Sequence, residues 1–276
     1  MNIKSIGSTA LLALAGALLA PSNANAALAY TDGDLFLGFR DNTNSYVVNI
    51  GQAINLINAT TPVVLSIGNI KADLDALYTT NWATSSSVLW GVFGIKNSTN
   101  PGQGFTTVRT LFASNAHSGT PLGSQGSIAW ERSSSASQNV AIGEFNSLRA
   151  VFTAATATAN SAFAFTQPNS DINSWRSFQP GGDPGNSTAT AAFNYFNGGI
   201  EANFGAGTSG AYLDFYDSRI DTTASNLPSN FEGNLSIDGS TGAVTFTPAG
   251  VPEPTTVAAL GMGLAMLITR RRRQTA

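Results

Sequence analysis

Two short apolar segments, one at each end of the chain, leave only the stretch between them to build a fold in water. Ile6 to Ala20 is almost entirely Ala, Leu, Ile and Gly, and Val257 to Thr269 is a second apolar run. The body between them, residues 27 to 250, contains no cysteine. Disulfide staples, thiolate nucleophiles and thiolate metal sites are therefore excluded. The body must hold together by burial alone, and it is long enough to form one sizeable core.

The N-terminal segment has the three parts of a secretory signal peptide over residues 1–26. Lys4 is the positive start and Ile6 to Ala20 the apolar stretch. Pro21-Ser22-Asn23 breaks it, and Ala24 and Ala26 are the small residues that a signal peptidase reads. The predicted cut follows Ala26. The apolar run is also shorter than the roughly 20 residues that span a bilayer comfortably.

The C-terminal segment, residues 251–276, has a different order. Val251-Pro252-Glu253-Pro254-Thr255-Thr256 precedes the apolar run 257–269, and Arg270, Arg271, Arg272 and Arg273 follow it. As a helix the run would be roughly 20 Å long, short against a hydrocarbon core of about 30 Å. Local thinning and snorkelling of the arginines would have to make up the difference. The arginines should stay on the cytoplasmic side, leaving Pro252-Glu253-Pro254 at the outer face. Proline lacks an N–H and biases its predecessor toward extended geometry, so this strip should be non-helical and open to a protease. An ordinary anchor would explain the span and the arginines but not the Pro-Glu-Pro.

Val251 to Thr255, a short Gly/Leu-rich helix and a terminal arginine cluster resemble the PEP-CTERM sorting signal of Gram-negative bacteria. The resemblance implies export by the general secretory route and transient tethering in the inner membrane. It also implies cleavage near the Pro-Glu-Pro by the membrane enzyme exosortase. Proteins of this class occur mostly in bacteria that make extracellular polysaccharide. The expected processing partners are thus signal peptidase and exosortase, and the expected destination is the cell surface or extracellular space.

Between residues 27 and 252 there are eight basic and fifteen acidic side chains, a formal balance of −7. Nucleic acid is an unsuitable partner, because phosphate contacts need clustered Lys and Arg. Charged residues make up only 11% of the chain, far below the usual quarter. Asn, Ser, Thr, Gly and Gln supply the polarity instead, which gives a hydrated surface without strong fields.

The body reads as α+β, a single mainly antiparallel β domain with two or three helices. Leu35 to Arg40 and Ser45 to Ile50 read as strands around the turn Asp41 to Asn44, which predicts a hairpin. Gln52 to Asn58 reads as a short helical turn. Asn69 is a candidate N-cap for a helix over Ile70 to Thr79, with Ile70, Leu74, Leu77 and Tyr78 on one face. Val88 to Lys96 and Thr106 to Ser114 read as strands. Ile142, Phe145, Leu148 and Phe152 then set the helical period of the longest helix, Ser137 to Thr156, despite Gly143. Ala157 to Gly210 has no clear period. Ala211 to Arg219 is a strand, and Asn234 to Ile237 and Ala243 to Thr247 form a closing hairpin. Several stretches resemble a group of secreted proteins from cyanobacteria and related biofilm formers. They are Thr31 to Arg40, Asn81 to Thr84, Trp90 to Gly94, Thr110 to Ser114, Leu213 to Tyr216 and Gly242 to Pro248. That resemblance implies a single body domain and a bacterial source, and it carries no chemistry.

Candidate chemistry is sparse. His117 is the only histidine, and no Gly-x-Ser-x-Gly elbow or oxyanion signature accompanies it, so it reads as a solvent-exposed loop residue. The carboxylate groups Asp32/Asp34, Asp73/Asp75 and Asp214/Asp217/Asp221 have the composition a glycoside hydrolase needs. Pairs so close in sequence are ordinarily turn and cap residues. Asp32-Gly33-Asp34 lacks the acid-rich loop of a calcium site. No cofactor and no metal site is expected. Trp82, Trp130 and Trp175, with Trp90, Tyr195, Tyr212 and Tyr216, are candidates for an aromatic sugar platform, although core packing also explains them. The glycosylation-type motifs at Asn58, Asn97, Asn186 and Asn234 matter only in a host with the machinery.

The sequence therefore favours a non-enzymatic exported surface or matrix protein associated with exopolysaccharide or biofilm. The alternatives are a carbohydrate-binding module and a secreted carboxylate-dependent glycoside hydrolase.

Overall fold

The computed structural model describes residues 28–98, 110–118, 122–126, 135–179, 199–219 and 229–250. One antiparallel sheet organises them, with strands in the order β3-β10-β9-β8-β5-β4-β1-β2-β6, and β7 beside β4. The strands are β1 (Asp34–Arg40), β2 (Asn44–Gln52), β3 (Val63–Val64), β4 (Leu89–Lys96) and β5 (Thr110–Ala116). β6 (Ala164–Pro168), β7 (Glu201–Asn203), β8 (Tyr212–Arg219), β9 (Asn230–Ile237) and β10 (Val244–Pro248) complete it. Three helices accompany the sheet: α1 (Ala53–Ile57), α2 (Ile70–Tyr78) and α3 (Ser135–Ala154). The described body is thus a mainly antiparallel α+β fold. Among these residues no helix is long and apolar enough to cross a membrane. The signal segment 1–26 and the tail 251–276 lie outside the described residues.

Both faces of the central strands are covered, so these strands read as near-continuous apolar runs rather than simple alternation. Leu35, Leu37 and Phe39 of β1 join one core with Tyr46, Val48, Trp90, Val92, Leu213, Phe215, Leu235 and Phe246. Helices α1 and α2 close that side through Ile54, Leu56, Ile70 and Leu74. Phe36, Val47, Phe93, Leu111 and Tyr216 face the opposite side, where α3 lays down Ile142, Phe145, Leu148 and Phe152. Period two in the strands and period 3.6 in the helix meet on that surface. Burying these side chains stabilises each by about 1.5–3 kcal/mol.

The first hairpin forms with Phe39 opposite Tyr46, and the closing hairpin with Phe246 opposite Leu235. Asn69 caps α2 by accepting from the Ala72 N–H at 3.4 Å, leaving Asp73 in the first turn where the helix dipole favours an acid. Strand β5 runs on to Ala116, two residues past the expected end, and expected positions 106–109 lie outside the described residues. Within the stretch that had no clear period, β6 and β7 are strands of only five and three residues.

The two terminal strands of the sheet approach one another without pairing. Segment 65–69 after β3 meets segment 158–163 before β6. The Asn69 N–H donates to the Asn160 carbonyl at 2.9 Å, and the Ser161 hydroxyl to the Ile67 carbonyl at 2.7 Å. Asp73 pins the same seam from α2, accepting from Tyr46 Oη at 3.0 Å, Thr158 Oγ1 at 2.5 Å and Asn160 Nδ2 at 2.7 Å. The curled sheet is closed by these side-chain and loop hydrogen bonds.

Candidate functional site

The seam leaves a half-open cleft of about 390 Å³, lined by Ala29, Asp34, Asn49, Ile50, Gly51, Ser66, Ile67, Ala162 and Phe163. A β-bulge shapes it. Leu35 of β1 faces Gly51 of β2 while Phe36 faces Asn49, so Ile50 has no partner across the pair. The extra residue is accommodated by Gly51 at φ +88°, a left-handed conformation that glycine adopts without a Cβ penalty. Asn49 Oδ1 holds the bend by accepting from the Gly51 N–H at 2.8 Å. Asp34 and Asn49 are nearly buried, whereas Ser66 is exposed and Phe163 is 47% exposed. The polar pair therefore sits deep and the phenyl ring stands at the rim.

Hydrogen bonding fixes the polar pair. Asp34 Oδ2 accepts from the Thr31 N–H and from Asn49 Nδ2, both at 2.8 Å, and Oδ1 accepts from Gln52 Nε2. Asn49 Nδ2 also donates to the Ala29 carbonyl at 2.9 Å, so both its hydrogens are used. A carboxylate offers about four acceptor sites and an amide oxygen two. Asp34 Oδ1 and Asn49 Oδ1 each keep one. No ion pair reaches Asp34 among the described residues.

The other candidate carboxylates hold the fold together. Asp32 accepts from the Asn97 and Ser98 N–H groups and from the Ser98 hydroxyl, with Lys96 Nζ 3.5 Å away. Partial burial would push its carboxyl up, but these donors outweigh that and hold it below the usual range. This is the turn role the sequence suggests. Asp75 accepts from Lys71 and from Trp82 Nε1. Asp217 accepts from Asn230 Nδ2 at 2.6 Å. Asp214 departs from the turn-and-cap expectation, being a buried residue of β8, and Asp73, in the first turn of α2, is buried in a polar network as well. Asp221 lies outside the described residues. No two of these carboxylates flank the cleft, which contains Asp34 alone.

His117 corrects the expectation of an exposed loop residue, being only 4% exposed. Its Nδ1 lies 2.7 Å from Asp214 Oδ1, and Asn234 Nδ2 donates to the same oxygen at 2.6 Å. Asp214 Oδ2 accepts from the Gly126 N–H at 2.9 Å and from Tyr216 Oη at 3.2 Å. A carboxylate buried beside β9 needs donors, and His117 and Gly126, which follow β5, supply two of the four. Burial, with the Asp214 charge second, pushes the Tyr216 phenol well above its ordinary value. Asn234 is fully buried here and its amide oxygen accepts from the Gly123 N–H, so it cannot accept a glycan in the folded protein.

The tryptophan platform is also corrected. Trp82, Trp90 and Trp175 are fully buried. Trp90 stacks on Phe204 at 5.6 Å, Trp82 meets the same ring edge-on at 5.2 Å, and the Trp175 indole donates to Glu201 Oε1 at 2.8 Å. Their rings fill the two cores and cannot stack on a sugar. Trp130 and Tyr195 lie outside the described residues, as do Ala24, Ala26, the Val251–Thr255 motif and Arg270 to Arg273.

Asn49, Ser66 and Phe163 were not singled out by the sequence reading. The one local signal was Gly51 at the end of an apolar strand, a common mark of a bulge. Among the described residues there is no group of three or more His, Asp or Glu side chains placed to hold a metal ion. Comparisons with protein-family models, with curated proteins and with solved structures return no match.

Proposed function

We propose that this chain is a non-enzymatic protein of the cell surface or extracellular matrix, exported by the secretory route and sorted through its C-terminal tail. The observation that carries the reading is the order of residues 251–273: a Pro-Glu-Pro strip, a short apolar run, then four arginines. A signal-type segment at the opposite end supports it. The body stays hydrogen-bonded as far as the last described residue, where the Gly250 N–H donates to the Gly123 carbonyl at 2.8 Å. The non-enzymatic part draws support from the candidate carboxylates among the described residues: all are engaged in hydrogen bonds that fasten the fold, and Asp34 alone lines the cleft. A hydrolase would need a second carboxylate facing Asp34 across the cleft.

In this reading the apolar run tethers the folded body at the outer face of the inner membrane until an exosortase-type enzyme cuts near Glu253. The body then passes to the surface, in association with exopolysaccharide. Glu253→Ala, or deletion of Arg270 to Arg273, should leave a membrane-associated precursor in fractionated cells. Unchanged release of a shortened product from both variants would contradict the proposal.

A further inference from the structure

The geometry points to the seam cleft as a binding site for a hydroxyl-rich sugar unit, neutral or amino-substituted, with acidic sugars excluded. Three features select that chemistry. First, Asp34 and Asn49 line the cleft, and the hydrogen-bonding capacity their side chains have left is that of acceptors: Asp34 Oδ1 and Asn49 Oδ1 each keep a free lone pair, while the hydrogens of Asn49 Nδ2 are already donated. A ligand must therefore bring donors, as sugar hydroxyls and ammonium groups do. Second, the Asp34 carboxylate has no ion-pair partner among the described residues. It repels a uronate or sulfated unit and attracts an ammonium. Third, Phe163 presents a half-exposed ring at the rim and Ile50 and Ile67 form apolar wall, which suits the C–H face of a pyranose.

The volume, about 390 Å³, lies within the range of small-ligand sites. The polar pair is preorganised by the bulge and by five hydrogen bonds within the protein, so little ordering is needed on binding. The inference rests on the surface-and-matrix reading for the source of the saccharide, but not for the binding itself.

The test is calorimetric titration of the processed protein, purified from its producing cell, with a chitosan tetramer, a neutral glucan tetramer and an oligogalacturonate. The first two should bind at one site, and the oligogalacturonate should not. Phe163→Ser, a change at an exposed ring that leaves both cores untouched, should weaken binding about tenfold. Asp34→Asn should remove the discrimination against the acidic oligomer, with thermal melting confirming that this variant is folded. Absence of binding to both tetramers, or equal affinity in Phe163→Ser, would overturn the site. A protein that is correctly processed but binds no sugar would sink this inference and leave the sorting proposal standing.

Discussion

The indole of Trp175 occupies the space a side chain would need at Gly38. A Cβ at position 38 would stand 2.1 Å from Cδ2 and 2.2 Å from Cε2 of the ring. The ring cannot easily withdraw, because its Nε1 donates to Glu201 Oε1 at 2.8 Å and it is fully buried. Gly38→Ala should therefore destabilise the body by about 1–3 kcal/mol through overpacking. A thermal melt should fall by about 2–4 °C for each kcal/mol lost in a domain of this size.

Glu201 is held by a second partner. Arg40 Nε donates to its two carboxylate oxygens at 3.0 and 2.8 Å, and Nη2 reaches Oε2 at 2.7 Å, with both side chains largely buried. Arg40→Met would strand a buried charge and should cost about 3–5 kcal/mol. Adding Glu201→Gln removes that charge while keeping an acceptor for Trp175, and should restore much of the loss. Denaturant unfolding of the two single variants and the double variant measures the coupling.

Four phenols give the body an alkaline limit. Tyr30, Tyr46, Tyr78 and Tyr216 are all pushed above the ordinary tyrosine value, by burial first and by nearby carboxylates second. A phenol whose folded value is raised contributes stability that is fully present below about pH 10 and is lost as pH climbs toward the folded value. Phenolate absorbance should therefore lag that of free tyrosine and then rise together with loss of the far-ultraviolet dichroism signal. Ionisation of all the phenols near pH 10 with the fold intact would contradict this burial.

Much of the architecture was legible because its signals are local. The steps between Ile142, Phe145, Leu148 and Phe152 need only one helix to be read, and the Asn69 cap needs only the next turn. The two hairpins announce themselves through turn residues. What could not be read depends on distant partners. His117 is buried because Asp214, 97 positions away, needs a donor. Strand β7 has three residues and exists by pairing Glu201 to Asn203 with Gly91 to Leu89 of β4. The cleft draws on four separate segments around a bulge, so no window of sequence contains it. The tryptophans misled for a related reason. Composition marks an aromatic as suitable for stacking, but only the packed sheet decides whether its ring meets solvent or core.

Intact mass of the protein recovered from its own producing cell tests the central claim most directly. The expected species begins at Ala27 and ends near Pro252-Glu253-Pro254, lacking the apolar run and Arg270 to Arg273. A mass matching the chain from Met1 to Ala276, taken from the cytosolic fraction, would contradict the account.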